Sequence, residues 1–442
     1  MTENKTIFSQ LKKLFNGKAN VLILLFYIII ALILTYPLII NIFSSIPGTE
    51  GDAMLFLWNQ WWVKDAIIHL ESPFFTNLLA YPFGANLAFS SLTFTNSLAA
   101  MPLLLFLPPV FVFNIIFILS LAMACFGMYC LLNYLFNNRF AAFTGGIMFV
   151  FNAYIFQEMQ GHFNYTSVYA IPLFILFLLK IYNNDYKISN SLWAAFFLLL
   201  SFYNDLYYTI GLFLFFAITI IWLLLKDKKL LLSKIKGLAL FLFTWLIFAA
   251  PLLYSLIKGA LSKLYPLANL SQINLYTPDL RSFLVPSKLH TIYGDSFINY
   301  YNELGFHSGT VYLSFTLLLL AIIGYFYGKN KKITSSAFWL FGAIVFLFFS
   351  LGPFLYINGY ILKWGGVLFT IPLPYLLFYA LPFIKGILVT PRFIIFVSLC
   401  LIVIGGFVLD KIFKRLNNYF LLKISVSLLI IGLFVFENLS LP

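Results

Sequence analysis

The chain is a succession of apolar runs about 20 residues long, such as "VLILLFYIIIALILTYPLIINIF" (21–43) and "FIIFVSLCLIVIGGFVL" (393–409). A run of that length crosses a hydrocarbon core roughly 30 Å thick as a helix. With no water to satisfy backbone groups inside lipid, helices are the natural solution for such runs. Composition agrees, since 62% of the residues are hydrophobic and 9% charged, where soluble domains run nearer roughly half and a quarter. An all-α, polytopic transmembrane fold is expected. The first run is too long for a signal-peptide core and has no small-residue cleavage site, so it reads as an uncleaved first helix. The spacing predicts spans near 20–43, 109–136, 140–156, 164–182, 190–205, 206–226, 236–257, 310–328, 334–352, 390–410 and 418–437, which is about eleven crossings. Two short or proline-interrupted stretches, 97–107 and 367–384, are expected to be re-entrant or interfacial. The whole of 1–442 is expected to form a single integral membrane domain with no separate soluble domain.

The net charge of +13 suggests nucleic acid only until its distribution is read. Lysine and arginine gather in the short breaks between runs: Lys5, Lys12, Lys13 and Lys18; Lys226, Lys228, Lys229, Lys234 and Lys236; Lys329, Lys331 and Lys332; Lys411, Lys414 and Arg415. Short loops with that bias stay cytoplasmic. The charge therefore encodes orientation, with anionic headgroups of the membrane lipids as a secondary partner and no nucleic acid. The N-terminus is expected in the cytoplasm. The outer side then receives the two long loops, about 44–96 and 258–309, about ten of the fourteen acidic residues, and all four histidines, His69, His162, His290 and His307. Cys125, Cys130 and Cys400 lie inside apolar runs and read as small buried hydrophobes, with no disulfide framework.

That distribution puts any chemistry on the extracytoplasmic face, in five places. "IPGTEGDAMLFLWNQWW" (46–62) sets Glu50 and Asp52 around one glycine just past the first run. A carboxylate there can deprotonate an acceptor hydroxyl, ligate a hard divalent cation, or cap the helix that follows. "FQEMQGHFNYTS" (156–167) packs Glu158, His162 and Asn164 into a short outer turn. Those side chains can bind sugar hydroxyls, ligate a metal or orient one another, or simply supply a hairpin with its turn and caps. Asp205, ringed by Tyr203, Tyr207 and Tyr208, fits an ordinary interfacial belt. The large loop carries Asp279, Arg281, Lys288, His290, Asp295, Glu303 and His307 without the close spacing of a zinc site. Most of these read as a solvated face, and His290 and Glu303 join the candidate substrate-binding residues. Arg392 in "GILVTPRFIIF" sits at the outer mouth of a late run. Its planar fork suits a phosphate, although an arginine at that depth also snorkels to headgroups.

The order of these blocks, "GDAMLFLWNQWW", "FNAYIFQEMQGHFN", "PDLRSFLVPSKLH", "NELGFHSGTVYLS", "SLGPFLYINGY" and "PLPYLLFYALPFIKGILVTPRF", resembles a prokaryotic branch of the GT-C class of polytopic glycosyltransferases. The likeness runs from about residue 30 to 440. It implies an enzyme that takes a sugar from a polyprenyl-phosphate-linked donor and transfers it, usually with inversion, to a hydroxyl of a glycan, lipid or protein acceptor outside the cytoplasmic membrane. The family's acidic motif falls on Glu50 and Asp52, here Glu-Gly-Asp where many members have adjacent acids or Asp-X-Asp. Those two carboxylates are the expected catalytic pair and the expected ligands of Mg²⁺ or Mn²⁺, with Glu158, His162, Asn164, Arg392, His290 and Glu303 on the substrate side. The rival reading is a transporter or flippase of lipid-linked sugars. Transporters bury ionisable residues at mid-depth and show internal repeats, whereas the runs here are nearly free of ionisable residues and the acids crowd one face.

Overall fold

The apolar runs are helices in the computed structural model, which describes residues 17–48, 52–182, 187–261, 269–304, 310–328, 334–362, 370–379, 389–416 and 418–440. The first run does not form the continuous span expected over 20–43. Helix α1 (Lys18–Leu34) stops where the Thr35 hydroxyl donates back to the Ala31 carbonyl at 2.7 Å, and a 3₁₀ turn (Leu38–Asn41) follows. The cause is Pro37, which cannot donate to the ladder and disfavours helical geometry in the residue before it. The segment that follows forms α2 (Asp52–Ile68), a two-residue antiparallel hairpin of β1 (Phe75–Thr76) and β2 (Ala85–Asn86), and α3 (Phe94–Ala100). The 97–107 stretch is part of α3 and a 3₁₀ turn (Leu103–Leu105), too short to cross.

Helix α4 (Pro109–Phe136) matches its expected span. The next does not, because it divides into α5 (Arg139–Val150) and α6 (Ala153–Glu158). Asn152 makes the break: its amide donates to the Phe149 carbonyl at 2.7 Å while its oxygen accepts from Ile155 N at 3.0 Å. One side chain thus closes one helix and opens another. After α7 (Phe163–Thr166) come α8 (Ala170–Tyr182), α9 (Ile188–Asn204) and α10 (Leu206–Lys226). The basic break holds α11 (Lys228–Ser233), capped by Asp227, and leads to α12 (Ile235–Leu261), with Pro251 inside it. Further on lie α13 (Leu270–Leu275), α14 (Ile298–Leu304), α15 (Phe315–Tyr327) and α16 (Ser336–Ser350). A second small hairpin, β3 (Tyr356–Ile357) with β4 (Tyr360–Ile361), precedes α17 (Tyr375–Tyr379), α18 (Ile394–Arg415) and α19 (Phe420–Asn438). Of the 367–384 stretch, 370–379 is described and holds only the short α17; the remainder lies outside the described residues.

The chain is therefore all-α apart from two small hairpins among the described residues. Six helical segments there are long and apolar enough to cross a membrane: Pro109–Phe136, Phe163–Tyr182, Leu206–Lys226, Ile235–Leu261, Thr390–Arg415 and Phe420–Asn438. Shorter apolar helices are Lys18–Leu34, Arg139–Val150, Phe315–Tyr327 and Ser336–Ser350. Helices α12 and α19 expose most of their apolar surface, including Phe243, Leu246, Ile247 and Phe248 on α12 and Leu428, Leu429 and Leu433 on α19. Contiguous apolar faces of that extent are unfavourable in water and natural in lipid.

The chain divides into two compact units, one built from 1–134 and 158–264 and the other from 135–157 and 265–441. In the first, α8 packs on α9 with Phe177 and Phe197 stacked at 5.6 Å between centroids, and α9 packs in turn on α12. In the second, α18 is the buried centre, with α15, α16 and α5 packed around it. Glycines set its closest approach. A Cβ on Gly324 would lie 2.1 Å from the Ile404 carbonyl oxygen, so α15 and α18 meet backbone to backbone. Glu437 of α19 fastens the start of α15, accepting from Thr316 N at 3.1 Å, from the Thr316 hydroxyl at 2.8 Å and from the Ser314 hydroxyl.

Gly324→Ala forces two backbones apart and should destabilise the protein by about 1–3 kcal/mol, seen as a lower Tm in detergent. Gly432→Ala, where nothing stands within 4 Å, should leave the Tm unchanged or raise it.

Candidate functional site

The first unit brings three of the sequence candidates together. Asp52 begins α2, so part of its role is the one expected of an acid at a helix start, where it meets the positive end of the helix dipole. Its Oδ2 also lies 3.3 Å from His162 Nε2, and on the other side of the ring Nδ1 lies 3.1 Å from Glu158 Oε2. The result is a carboxylate–imidazole–carboxylate row graded in exposure. The Asp52 side chain is 66% exposed, His162 43% and Glu158 7%. The outer carboxylate is open to a reactant, and the inner one is enclosed by protein.

Local sequence explains how this row is held. Glu158 ends α6 and His162 stands four residues later, its backbone N–H donating to the Glu158 carbonyl at 2.8 Å. One helical turn therefore sets ring against carboxylate. Gly161, with φ +145°, releases the chain from helical geometry before α7. Phe163, next to the histidine, is clasped edge-on by Phe56 of α2 and by Phe113 and Phe117 of α4, at centroid distances of 5.7, 4.9 and 5.2 Å. Each such pair adds about 0.5–1.5 kcal/mol beyond burial, so the turn is seated on the same helix that carries Asp52. From the other side, Gly48 (φ +96°) runs so close that a Cβ there would meet the Gln160 carbonyl oxygen at 2.7 Å. Two glycines thus bring the end of the first apolar segment onto the 158–162 turn. Glu50, between Gly48 and Asp52 in the chain, lies outside the described residues.

Asn164 is turned away from this row. It is fully buried, and its amide donates to Asp205 Oδ2 at 2.9 Å, while Asn204 donates to the Asn164 carbonyl at 3.2 Å. Asp205 in turn caps α10 by accepting from Tyr208 N at 3.1 Å. Here the residues read from sequence as a belt and a turn form an internal brace. Beside it Tyr165 meets Tyr207 and Tyr208 edge-on at 5.8 Å each, and the Tyr208 hydroxyl donates to the Tyr165 carbonyl at 2.8 Å.

The remaining candidates belong to the second unit. His290 is buried and engaged at both ring nitrogens: Nδ1 accepts from Ile292 N and Tyr293 N at 3.1 and 3.2 Å, and Nε2 faces the Phe436 carbonyl at 2.6 Å. A ring stacked 3.4 Å from Tyr293 in this setting ties its loop to the end of α19. Glu303 is exposed on α14. Arg392 lies half-buried in the 3₁₀ turn Thr390–Phe393 that opens α18. His307 lies outside the described residues. Asp279, read as part of a solvated loop, is instead fully buried, accepting from Arg281 N at 2.9 Å and Gly359 N at 2.8 Å.

Among the described residues no group of three or more His, Cys, Asp or Glu side chains is arranged to hold a metal ion. Asp52 still offers an exposed hard oxygen, and Mg²⁺ is commonly held by one or two carboxylates together with substrate phosphates. No protein-family model matches the chain, and no curated protein matches it. The chemistry of the row is thus the ground for a functional reading.

Asn164→Ala should leave the Asp205 carboxylate short of a buried donor and cost about 1.5–3 kcal/mol, read as a lower Tm in detergent. If Asn164 instead serves a substrate, the Tm will hold and only KM will rise.

Proposed function

We propose that the chain is a membrane glycosyltransferase of the GT-C kind, transferring a sugar from a polyprenyl-phosphate-linked donor to an acceptor hydroxyl on the extracytoplasmic face. The observation that carries this reading is the row Asp52–His162–Glu158, with its outer carboxylate exposed at the start of a helix that follows the first apolar segment. An exposed carboxylate beside an imidazole that stands in turn beside an enclosed carboxylate is suited to general-base work. The topology in this reading is about eleven crossings. The four shorter apolar helices and α9 would join the six long segments, with the lysine-rich breaks inside and the row outside.

In the proposed reaction Asp52 takes the proton of the acceptor hydroxyl as its oxygen attacks the anomeric carbon. The bond from that carbon to the donor phosphate breaks from the opposite side, and the electron pair leaves with the lipid phosphate, so configuration inverts. His162 orients the Asp52 carboxylate, and Glu158 is a positioning residue acting through His162. Mg²⁺ or Mn²⁺ belongs to the proposal as an ion that Glu50 and Asp52 would hold, supplying charge against the donor phosphate. Arg392 is assigned to the lipid phosphate on chemistry alone. A guanidinium forks onto two phosphate oxygens and meets charge that grows as the bond breaks.

Reconstitution with a polyprenyl-phosphate sugar, in Mg²⁺ and in EDTA, tests the reading. Asp52→Asn should lower transfer by about 10²-fold or more at unchanged Tm, because asparagine still suits a helix start but cannot take a proton. Normal turnover by Asp52→Asn would make Asp52 a helix-start residue and nothing more, and full activity in EDTA would remove the metal.

Arg392→Ala should weaken donor binding by about 1.5–3 kcal/mol, and Arg392→Lys should recover only part of it because the fork is lost. Equal donor affinity in both variants and the wild type would leave Arg392 as a headgroup anchor.

A further inference from the structure

The break after α18 carries more than an orientation signal. Tyr327, the last residue of α15, together with Phe407, Asp410, Lys411, Lys414 and Arg415 of α18 lines an open cleft of about 420 Å³. That volume is in the range of small-molecule sites. Its charge is unbalanced. Asp410 is committed twice, accepting from Asn138 Nδ2 at 3.0 Å and pairing with Lys414 at 2.7 Å. Among the described residues no carboxylate pairs with Lys411 or Arg415. Lys411 lies over the Tyr327 ring, 4.1 Å from its centroid, and Tyr327 and Phe407 give the cleft an aromatic wall.

Basic residues in a last helical turn are stabilising by themselves, facing the negative end of the helix dipole, and that accounts for Lys414 and Arg415 in isolation. It does not account for a cleft closed on one side by a second helix, nor for what adjoins it. Along α15 the side chains of Leu319, Ile322 and Phe326 are each about 60% exposed and recur at the helical spacing that places them on one face. A cationic cleft at the end of a helix with an exposed apolar face has two regions of opposite character along one helix. That is the complement of an amphiphile, and a free anion would use only half of it.

We propose that this cleft binds the phosphate headgroup of an anionic phospholipid, with Lys411 and Arg415 on the phosphate and the acyl chains along the Leu319–Phe326 face of α15. The binding is independent of sugar transfer, so each proposal stands or falls by its own assay. The test is native mass spectrometry of the full chain in detergent, titrated with palmitoyl-oleoyl phosphatidylglycerol, with phosphatidylcholine of the same chains, or with inorganic phosphate. The wild type should retain phosphatidylglycerol in preference to phosphatidylcholine. Each basic residue near a membrane surface is worth about fivefold, so Lys411→Gln with Arg415→Gln should weaken phosphatidylglycerol about 30-fold and leave phosphatidylcholine unchanged. The charge-preserving pair Lys411→Arg with Arg415→Lys should keep most of the affinity, which separates loss of charge from loss of fold. Equal retention of the two lipids, or undiminished phosphatidylglycerol binding in the glutamine pair, would overturn the proposal. Displacement of the lipid by inorganic phosphate at matching concentration would make this a site for free phosphate and overturn the lipid assignment.

Discussion

A backbone group that leaves its helix inside an apolar surround must find another partner, and several of the breaks among the described residues show what that partner is. The Thr35 hydroxyl returns to a carbonyl where α1 stops. Asn152 takes both sides of the interruption between α5 and α6. Asp205 and Asp227 open the helices that follow them, and Glu437 opens one from a distance. The polar residues of a chain this apolar are few, and many of them are spent at helix ends. The candidate site is built from the same scarce material as the turns, so Asp52 both starts α2 and faces His162.

Sequence periodicity located the helices well because each long apolar run has nowhere else to go. The spans expected at 109–136, 206–226 and 236–257 differ from α4, α10 and α12 by at most a few residues. It failed where one residue outweighs a run. Pro37 shortened the first helix, and Asn152 cut another in two, neither of which changes average hydropathy. The candidate site divides in the same way. Glu158 and His162 stand one helical turn apart, and that spacing is visible in the sequence. The approach of Asp52 to His162 depends on two glycines and a phenylalanine clasp joining distant segments, which no local pattern carries. Asn164 and His290, read as substrate-binding, are buried and hydrogen-bonded within the protein, and Asp279, read as part of a solvated face, is fully buried and bonded to backbone N–H groups. Burial of a polar side chain in a loop has no local sequence pattern.

The row's gradient of exposure has an electrostatic meaning. A carboxylate as enclosed as Glu158 is costly to bury without a partner, and the ring beside it is the same ring that faces Asp52. The two acids thus stand on opposite nitrogens of a single ring.

Helix α12 has 27 residues, which at about 1.5 Å each make roughly 40 Å, more than a hydrocarbon core of roughly 30 Å. Such a helix leans, or the bilayer swells around it. Its far end is not free to lean alone: Asn86 donates to the Ser255 carbonyl at 3.4 Å, and Phe89 lies where a side chain on Gly259 would be. Those residues belong to the loop that also carries α2. In a bilayer crossed by α12, acyl-chain length would therefore be a mechanical variable for this unit, reaching the loop through a lever about as long as the bilayer is thick.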